Sequence, residues 1–188
     1  GVPKIVRAIN AGLLLSYVSL RQGDRTMFYG FDSRPGLTTG FLSGPRGFPK
    51  AQGMAANLDY STEETNYTLA LSTLASRLER RSLVIIFSDF VDTISAELML
   101  ENVKRLTDRH LVLFATFEDA ALSGMVDAPP EETLDVTRAV IADGLLAERD
   151  IVFRRLQRMG VQIIETTPEA FGGALISRYL QIKQRDML

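Results

Sequence analysis

The sequence predicts a Rossmann-like α/β fold: a mostly parallel sheet with helices on both faces and an antiparallel hairpin at one edge. Two apolar runs, at 83–88 and 110–117, lack polar alternation, which is typical of strands covered on both faces. From Leu83 onward, predicted strands alternate with predicted helices, as in right-handed parallel βαβ units. A length of 188 residues suits one domain, so we expect a single domain over 1–188.

The first part of the chain predicts helices and one hairpin. Apolar residues recur at helical spacing over 4–22, which predicts a largely buried helix. Strands at 25–31 and 37–42 are predicted to pair antiparallel around a turn, because each run is bounded by Gly, Pro or Asp. Further helices are expected at 48–58 and 65–81.

The second part predicts three strands and three helices. The strands are expected at 83–88, 110–117 and 161–165, and the helices at 93–108, 134–159 and 170–184. We expect these strands to be parallel and to share one sheet with the strand at 25–31, with 83–88 away from the sheet edge. The segment 118–132 contains two adjacent prolines and is predicted to be a loop.

Composition excludes several classes of function. The net charge is −2, with 21 basic and 23 acidic residues, so there is no electrostatic footprint for nucleic acid or an anionic membrane. The absence of cysteine excludes disulfides and thiolate metal sites, and His110, the single histidine, cannot form a histidine metal cluster. The glycine-containing segment 44–50 lacks P-loop spacing and is predicted to be a surface turn.

Acidic residues follow the first buried strand. Asp89 falls just past the strand at 83–88, and ligands of open α/β sheets bind beyond the carboxyl ends of strands. The oxygens of Ser88 and Asp89 are of the type that Mg²⁺ or Ca²⁺ prefers. A binding site and a solvated loop acid both stay open for Asp89. For Asp92 we favour the cap of a helix that begins near Thr93.

Several segments, in order along essentially the whole chain, resemble one bacterial family, the domain of unknown function fifty-eight, which is von Willebrand factor A-like. These segments are AINAGLLLSYVSLRQGDR, FYGFDSRP, LDYSTEETNYTLAL, SAELMLENVKRL, RHLVLFATF and LISRYLQIK. In addition, RRSLVIIFSDFVD resembles the fourth-strand region of von Willebrand A domains, where a strand ends in an acid that helps to hold a metal.

The resemblance implies a metal-ion-dependent adhesion site made of an Asp-x-Ser-x-Ser loop, a loop threonine and a later aspartate. Thr65 and Asp89 match the second and third segments, and we expect their side chains to face each other. The first segment has no match, so the site is degenerate and the chain is expected to lack the first strand at its N-terminal side. We therefore expect no tightly held metal in these 188 residues, and Mg²⁺ binding by the full-length protein stays open.

The resemblance also implies a function. It suggests a non-enzymatic protein-interaction module that acts in the cytoplasm with a MoxR-type AAA+ ATPase in the assembly or maturation of other proteins. Relatives carry membrane-spanning segments further upstream, whereas we expect no membrane contact from this fragment. The alternative is a metal- or nucleotide-dependent hydrolase on a doubly wound sheet, which needs a nucleophile, a base or a phosphate loop that the sequence does not reveal.

Overall fold

The structure, a computed structural model, describes residues 2–58, 64–89, 93–130 and 132–187, with the backbone alone for 93–95. The helices in these ranges are α1 (Lys4–Arg21), α2 (Phe48–Ala55), α3 (Tyr67–Arg77), α4 (Thr93–Thr107), α5 (Ala120–Asp127), α6 (Thr133–Arg158) and α7 (Phe171–Gln184). The strands are β1 (Arg25–Thr26), β2 (Tyr29–Phe31), β3 (Pro35–Thr38), β4 (Leu42–Ser43), β5 (Leu83–Phe87), β6 (Leu111–Phe117) and β7 (Gln162–Thr166).

The chain divides into two compact units. The first comprises Gly1–Ser82 and Thr166–Leu188, and the second comprises Leu83–Glu165. The expectation of a single domain over 1–188 stays a prediction. None of the helices in the described ranges combines the length and the apolarity needed to cross a bilayer.

Helix α1 of the first unit buries one stripe of its surface. The buried residues are Ala11, Gly12, Leu15, Ser16, Ser19 and Leu20. Leu14 and Tyr17 are 46% and 40% exposed, so the prediction of a largely buried helix is wrong. The reason is geometric: α2 and α7 pack against α1 and cover only part of its large apolar side chains outside that stripe.

The predicted hairpin of the first unit is antiparallel, but it is split into two short pairs. β1 pairs with β4 and β2 pairs with β3. Between the pairs, the backbone N–H of Phe28 donates to the Thr39 side chain (3.0 Å), and the N–H of Thr39 donates to the Phe28 carbonyl (3.1 Å). Gly40, with a φ of 65°, follows at once, so a side-chain hydrogen bond and a left-handed residue interrupt the ladder.

A polar contact joins the two ends of the first unit. Asp24, just after α1, accepts hydrogen bonds from the Tyr179 hydroxyl and from the Lys183 ammonium (2.8 Å) on α7. Burial, and then the hydrogen bond to Asp24, raise the pKa of Tyr179 above its usual value of 10.0. The hydroxyl therefore stays protonated and holds α7 near the end of α1.

The second unit contains a three-stranded parallel sheet in the order β5-β6-β7. β5 and β6 pair in parallel register from Leu83 opposite Leu111 to Phe87 opposite Ala115. All seven residues of the middle strand, β6, are buried, as its uniform apolar run predicts. The Phe114 ring lies 6.3 Å, centroid to centroid, from the Phe153 ring of α6.

Two expectations about the sheet are wrong for the described residues. The strands near Arg25 pair among themselves and do not join β5, β6 and β7, and the hairpin is therefore not an edge of the parallel sheet. β5 is an outer strand of the three, whereas we expected 83–88 away from the edge. The strands of the hairpin are two to four residues long, so each offers few backbone groups for pairing with a further strand.

One helix was not predicted, and another begins at a different residue from the predicted one. The segment 118–132 contains α5, which begins after Asp119, whose carboxylate accepts from the Leu122 N–H (3.1 Å). The loop prediction rested on the two adjacent prolines at the end of this segment. α3 begins at Tyr67 rather than at Thr65, because Asn66 is its N-cap and accepts from the Leu69 N–H (3.0 Å).

Candidate functional site at the carboxyl edge of the parallel sheet

The carboxyl ends of the three parallel strands carry polar side chains. Asp89 lies two residues after β5, Thr116 is next to last in β6, and Glu165 is next to last in β7. Because the strands are parallel, their last residues lie at the same edge of the sheet. This is the edge at which ligands of open α/β sheets bind.

A single arginine of α6 connects these strand ends. The Nε of Arg149 donates to Glu165 (3.0 Å), and its Nη1 donates to Asp89 (3.2 Å). Its Nη2 donates both to the Thr116 hydroxyl (3.1 Å) and to the carbonyl oxygen of Phe117 (2.5 Å). We call these five residues the Arg149 cluster. It uses the planar fork of the guanidinium, which can donate five hydrogen bonds.

The centre of the Arg149 cluster is a buried positive charge. The Arg149 side chain is 8% exposed, whereas those of Asp89 and Glu165 are 37% and 34% exposed. Burying a guanidinium is costly unless it is paired and hydrogen-bonded, and here two carboxylates and two neutral oxygens meet that requirement. The guanidinium also lies 5.3 Å from the centroid of the Phe153 ring, one turn along α6.

Arg149 lies on the buried face of helix α6. The buried residues of its second half are Arg149, Val152, Phe153 and Leu156. These follow the i, i+3, i+4, i+7 pattern of a core-facing stripe, so the arginine lies where an apolar residue is normal. Sequence reasoning missed Arg149. The available signal was a charged residue seven positions before Leu156 on the same apolar stripe.

The two predicted metal ligands belong to different units. Thr65 lies in the first unit, is half-buried and directly precedes the N-cap of α3. Asp89 lies in the second unit and belongs to the Arg149 cluster. Their expected face-to-face arrangement stays a prediction, and Asp92 lies outside the described residues.

The donor set beside Asp89 does not fit a divalent cation. The Arg149 guanidinium already lies against Asp89, Glu165, Thr116 and the Phe117 carbonyl, so a metal bound to these oxygens would face a fixed positive charge. In the described ranges, no group of three or more His, Cys, Asp or Glu side chains could hold a metal ion. His110 is buried at the start of β6, and its backbone N–H donates to Leu106 (2.9 Å).

Fold and site together define an α/β protein with a small parallel sheet whose carboxyl edge is closed by an internal ion cluster. The chain belongs to the family described as "Protein of unknown function DUF58", whose model matches residues 2–141. This confirms the resemblance to the domain of unknown function fifty-eight over residues 2–141, and the match ends before Arg149. Comparison with curated proteins finds no match, and comparison with solved structures finds none either.

Proposed function

We propose that this chain is a protein-interaction module and not an enzyme. One observation carries the proposal: an apolar surface on α5 and the first half of α6. None of the α5 residues is buried, and between Thr133 and Glu148 helix α6 buries Ala142 alone. The two helices pack against each other.

Large apolar side chains on these helices are exposed. They are Met125, Val126, Leu134, Val136, Val140 and Ile141, with exposed fractions from 37% for Val126 to 66% for Val140. We call these six residues the α5–α6 surface. Isolated apolar residues are common on protein surfaces, whereas grouped ones mark interaction sites. Val136 and Val140, one turn apart on the same face of α6, form such a group and support a docking role.

The partner that we propose is a MoxR-type AAA+ ATPase, which acts with this chain in the assembly or maturation of other proteins. The family resemblance suggests this partner, and membership of the family supports carrying it to this chain. We further propose that β5, β6 and β7 belong to a von Willebrand A-like fold. The parallel order of the three strands is what such a fold requires.

The experiment measures binding of the full-length protein to a MoxR-type ATPase of the same organism by biolayer interferometry. A Val136→Lys/Val140→Lys double variant should bind at least about tenfold more weakly, because charges replace apolar contacts in a desolvated interface. Leu37→Lys, at an equally exposed apolar position of β3 (51%), is the matched control and should bind like the wild type.

Two results would contradict the proposal. One is equal binding of the wild type and of the double variant to the ATPase. That result would show that the α5–α6 surface does not take part in the interaction. The other is turnover of nucleotides or phosphoesters by the purified protein, lost in an Asp89→Asn variant. That result would favour the hydrolase alternative, because Asp89 is the acid at the ligand-binding edge of the sheet.

A further inference from the structure

The family resemblance implies a divalent cation beside Asp89, but the structure supplies a different cation at this place. We infer that the guanidinium of Arg149 takes the place of a metal ion at the carboxyl edge of the sheet. Asp89 and Glu165 are then neutralised from within the chain, and the edge of the sheet is completed without a metal.

The guanidinium is surrounded by oxygen acceptors of the kinds that also bind metal ions. Its three nitrogens reach four oxygens, at 3.0 Å (Glu165), 3.2 Å (Asp89), 3.1 Å (Thr116) and 2.5 Å (Phe117). The oxygens come from the ends of three different strands, as the ligands of a metal at this edge would. Carboxylate, hydroxyl and carbonyl oxygens are the donors that Mg²⁺ and Ca²⁺ use, so the same donor set serves the arginine.

The charges of the cluster explain why the two cations exclude each other. Two carboxylates and one guanidinium leave the Arg149 cluster with a formal charge of −1, and without the arginine the charge would be −2. A divalent ion at Asp89 would lie within a few ångströms of the guanidinium, and the two positive charges would repel each other, because the guanidinium itself is buried. Arginine does not lose its proton at ordinary pH, so this repulsion persists across the physiological range.

The position of Arg149 on α6 makes the internal cation permanent. A metal dissociates, whereas the guanidinium is tied to a helix whose neighbouring residues Val152, Phe153 and Leu156 are buried. The Phe153 ring beside the guanidinium further restricts its movement. The cluster is therefore a fixed feature of the second unit, and chelators should have no effect on it.

The test measures Mn²⁺ binding by electron paramagnetic resonance in the wild type and in three variants. The wild type and Arg149→Lys, which keeps a cation at this position, should bind no Mn²⁺ up to about 1 mM. Arg149→Met removes the charge and leaves the two carboxylates, so it should bind Mn²⁺ at least about tenfold more tightly than the wild type. Adding Asp89→Asn to Arg149→Met should abolish that gain, which assigns it to the cluster.

Two outcomes would overturn the inference. One is Mn²⁺ binding by the wild type below about 1 mM that disappears in Asp89→Asn. The other is a folded Arg149→Met variant that gains no Mn²⁺ binding. If that variant does not fold, the test is the NMR resonance of the Arg149 Nε–H in the wild type. This proton should be protected from exchange with solvent, and its chemical shift should not change when Mg²⁺ is added. A change of its chemical shift on adding Mg²⁺ would refute the inference.

Discussion

The two units build their strands differently. In the second unit, the middle strand β6 has seven residues, all of them buried. In the first unit, the four strands have two to four residues, and Leu42 is the one buried residue among them. The core of the second unit is therefore organised by its sheet. The first unit relies on helix packing, with Leu20, Leu42 and Ala51 at the centre of a small core.

The largest expected effect is in the sheet of the second unit. Phe114 is 0% exposed, so Phe114→Ala should cost about 4 kcal/mol of unfolding free energy through lost burial and a cavity. Leu37→Ala, in β3 of the first unit and 51% exposed, should cost less than about 0.5 kcal/mol. Urea unfolding followed by far-UV circular dichroism measures both.

Intrinsic fluorescence shows which unit is affected. The chain has no tryptophan, and its five tyrosines all lie within 1–82 and 166–188, so tyrosine fluorescence reports the first unit alone. If Leu37→Ala destabilised the protein as much as Phe114→Ala, the contrast between the two kinds of strand would be wrong.

The next largest effect on stability is expected at one of two neighbouring leucines on α1. Leu15 is 8% exposed and Leu14 is 46% exposed. Leu15→Asp should destabilise the first unit by about 3 kcal/mol, because it buries an unpaired charge. Leu14→Asp should cost less than about 1 kcal/mol, since its carboxylate can reach water. Tyrosine fluorescence in urea gives both values, and similar losses would mean that α1 is more deeply covered than its one buried stripe.

A smaller effect concerns alkaline pH. The pKa of Tyr179 is raised in the folded state, so its stabilising contribution is complete below pH 10 and is lost as pH rises through the raised value. As pH rises above 10, the unfolded tyrosine ionises before the folded one, which lowers stability. Tyr179→Phe should lose less stability than the wild type between pH 9 and pH 11. Equal losses, measured by circular dichroism, would argue against the protected hydroxyl.

The smallest effect is at an exposed ion pair of the second unit. Arg155 on α6 donates to both carboxylate oxygens of Glu97 on α4, and this hydrogen bonding lowers the pKa of Glu97. The ion pair's contribution to stability is present above pH 4.5, the usual pKa of a glutamate side chain. It is lost as the pH falls through the lowered pKa of Glu97. Glu97→Gln should therefore differ little from the wild type at pH 7, and the difference should shrink further in acid and in high salt. A large difference at pH 7 would show that the pair is more than a surface contact.

The sequence predicted the second unit better than the first. Uniform apolar runs predicted β5 and β6, because burial on both faces removes polar alternation. In the hairpin the direction of pairing was predicted. The division of the hairpin into two short strand pairs was not predicted, because this division depends on a hydrogen bond from the Phe28 N–H to the Thr39 side chain.

The candidate site was predicted in part. Asp89 was found because its position follows directly from the end of a strand. Arg149 was missed because its partners lie 16, 32, 33 and 60 residues away in sequence, and periodicity over a short window cannot show such contacts. A charged residue on an apolar stripe is the one local signal of such a cluster.

The sequence separations between Arg149 and its partners also bear on the order in which parts of the second unit are expected to form during folding. The Arg149 cluster requires β5, β6 and β7 to be aligned before the guanidinium has all its acceptors, so its hydrogen bonds should form after the folding transition state. Interactions that form late contribute mainly to the barrier against unfolding. Arg149→Lys should therefore leave the refolding rate in stopped-flow experiments nearly unchanged and increase the unfolding rate. We therefore expect the buried guanidinium to lengthen the lifetime of the folded sheet and to leave its rate of formation almost unchanged.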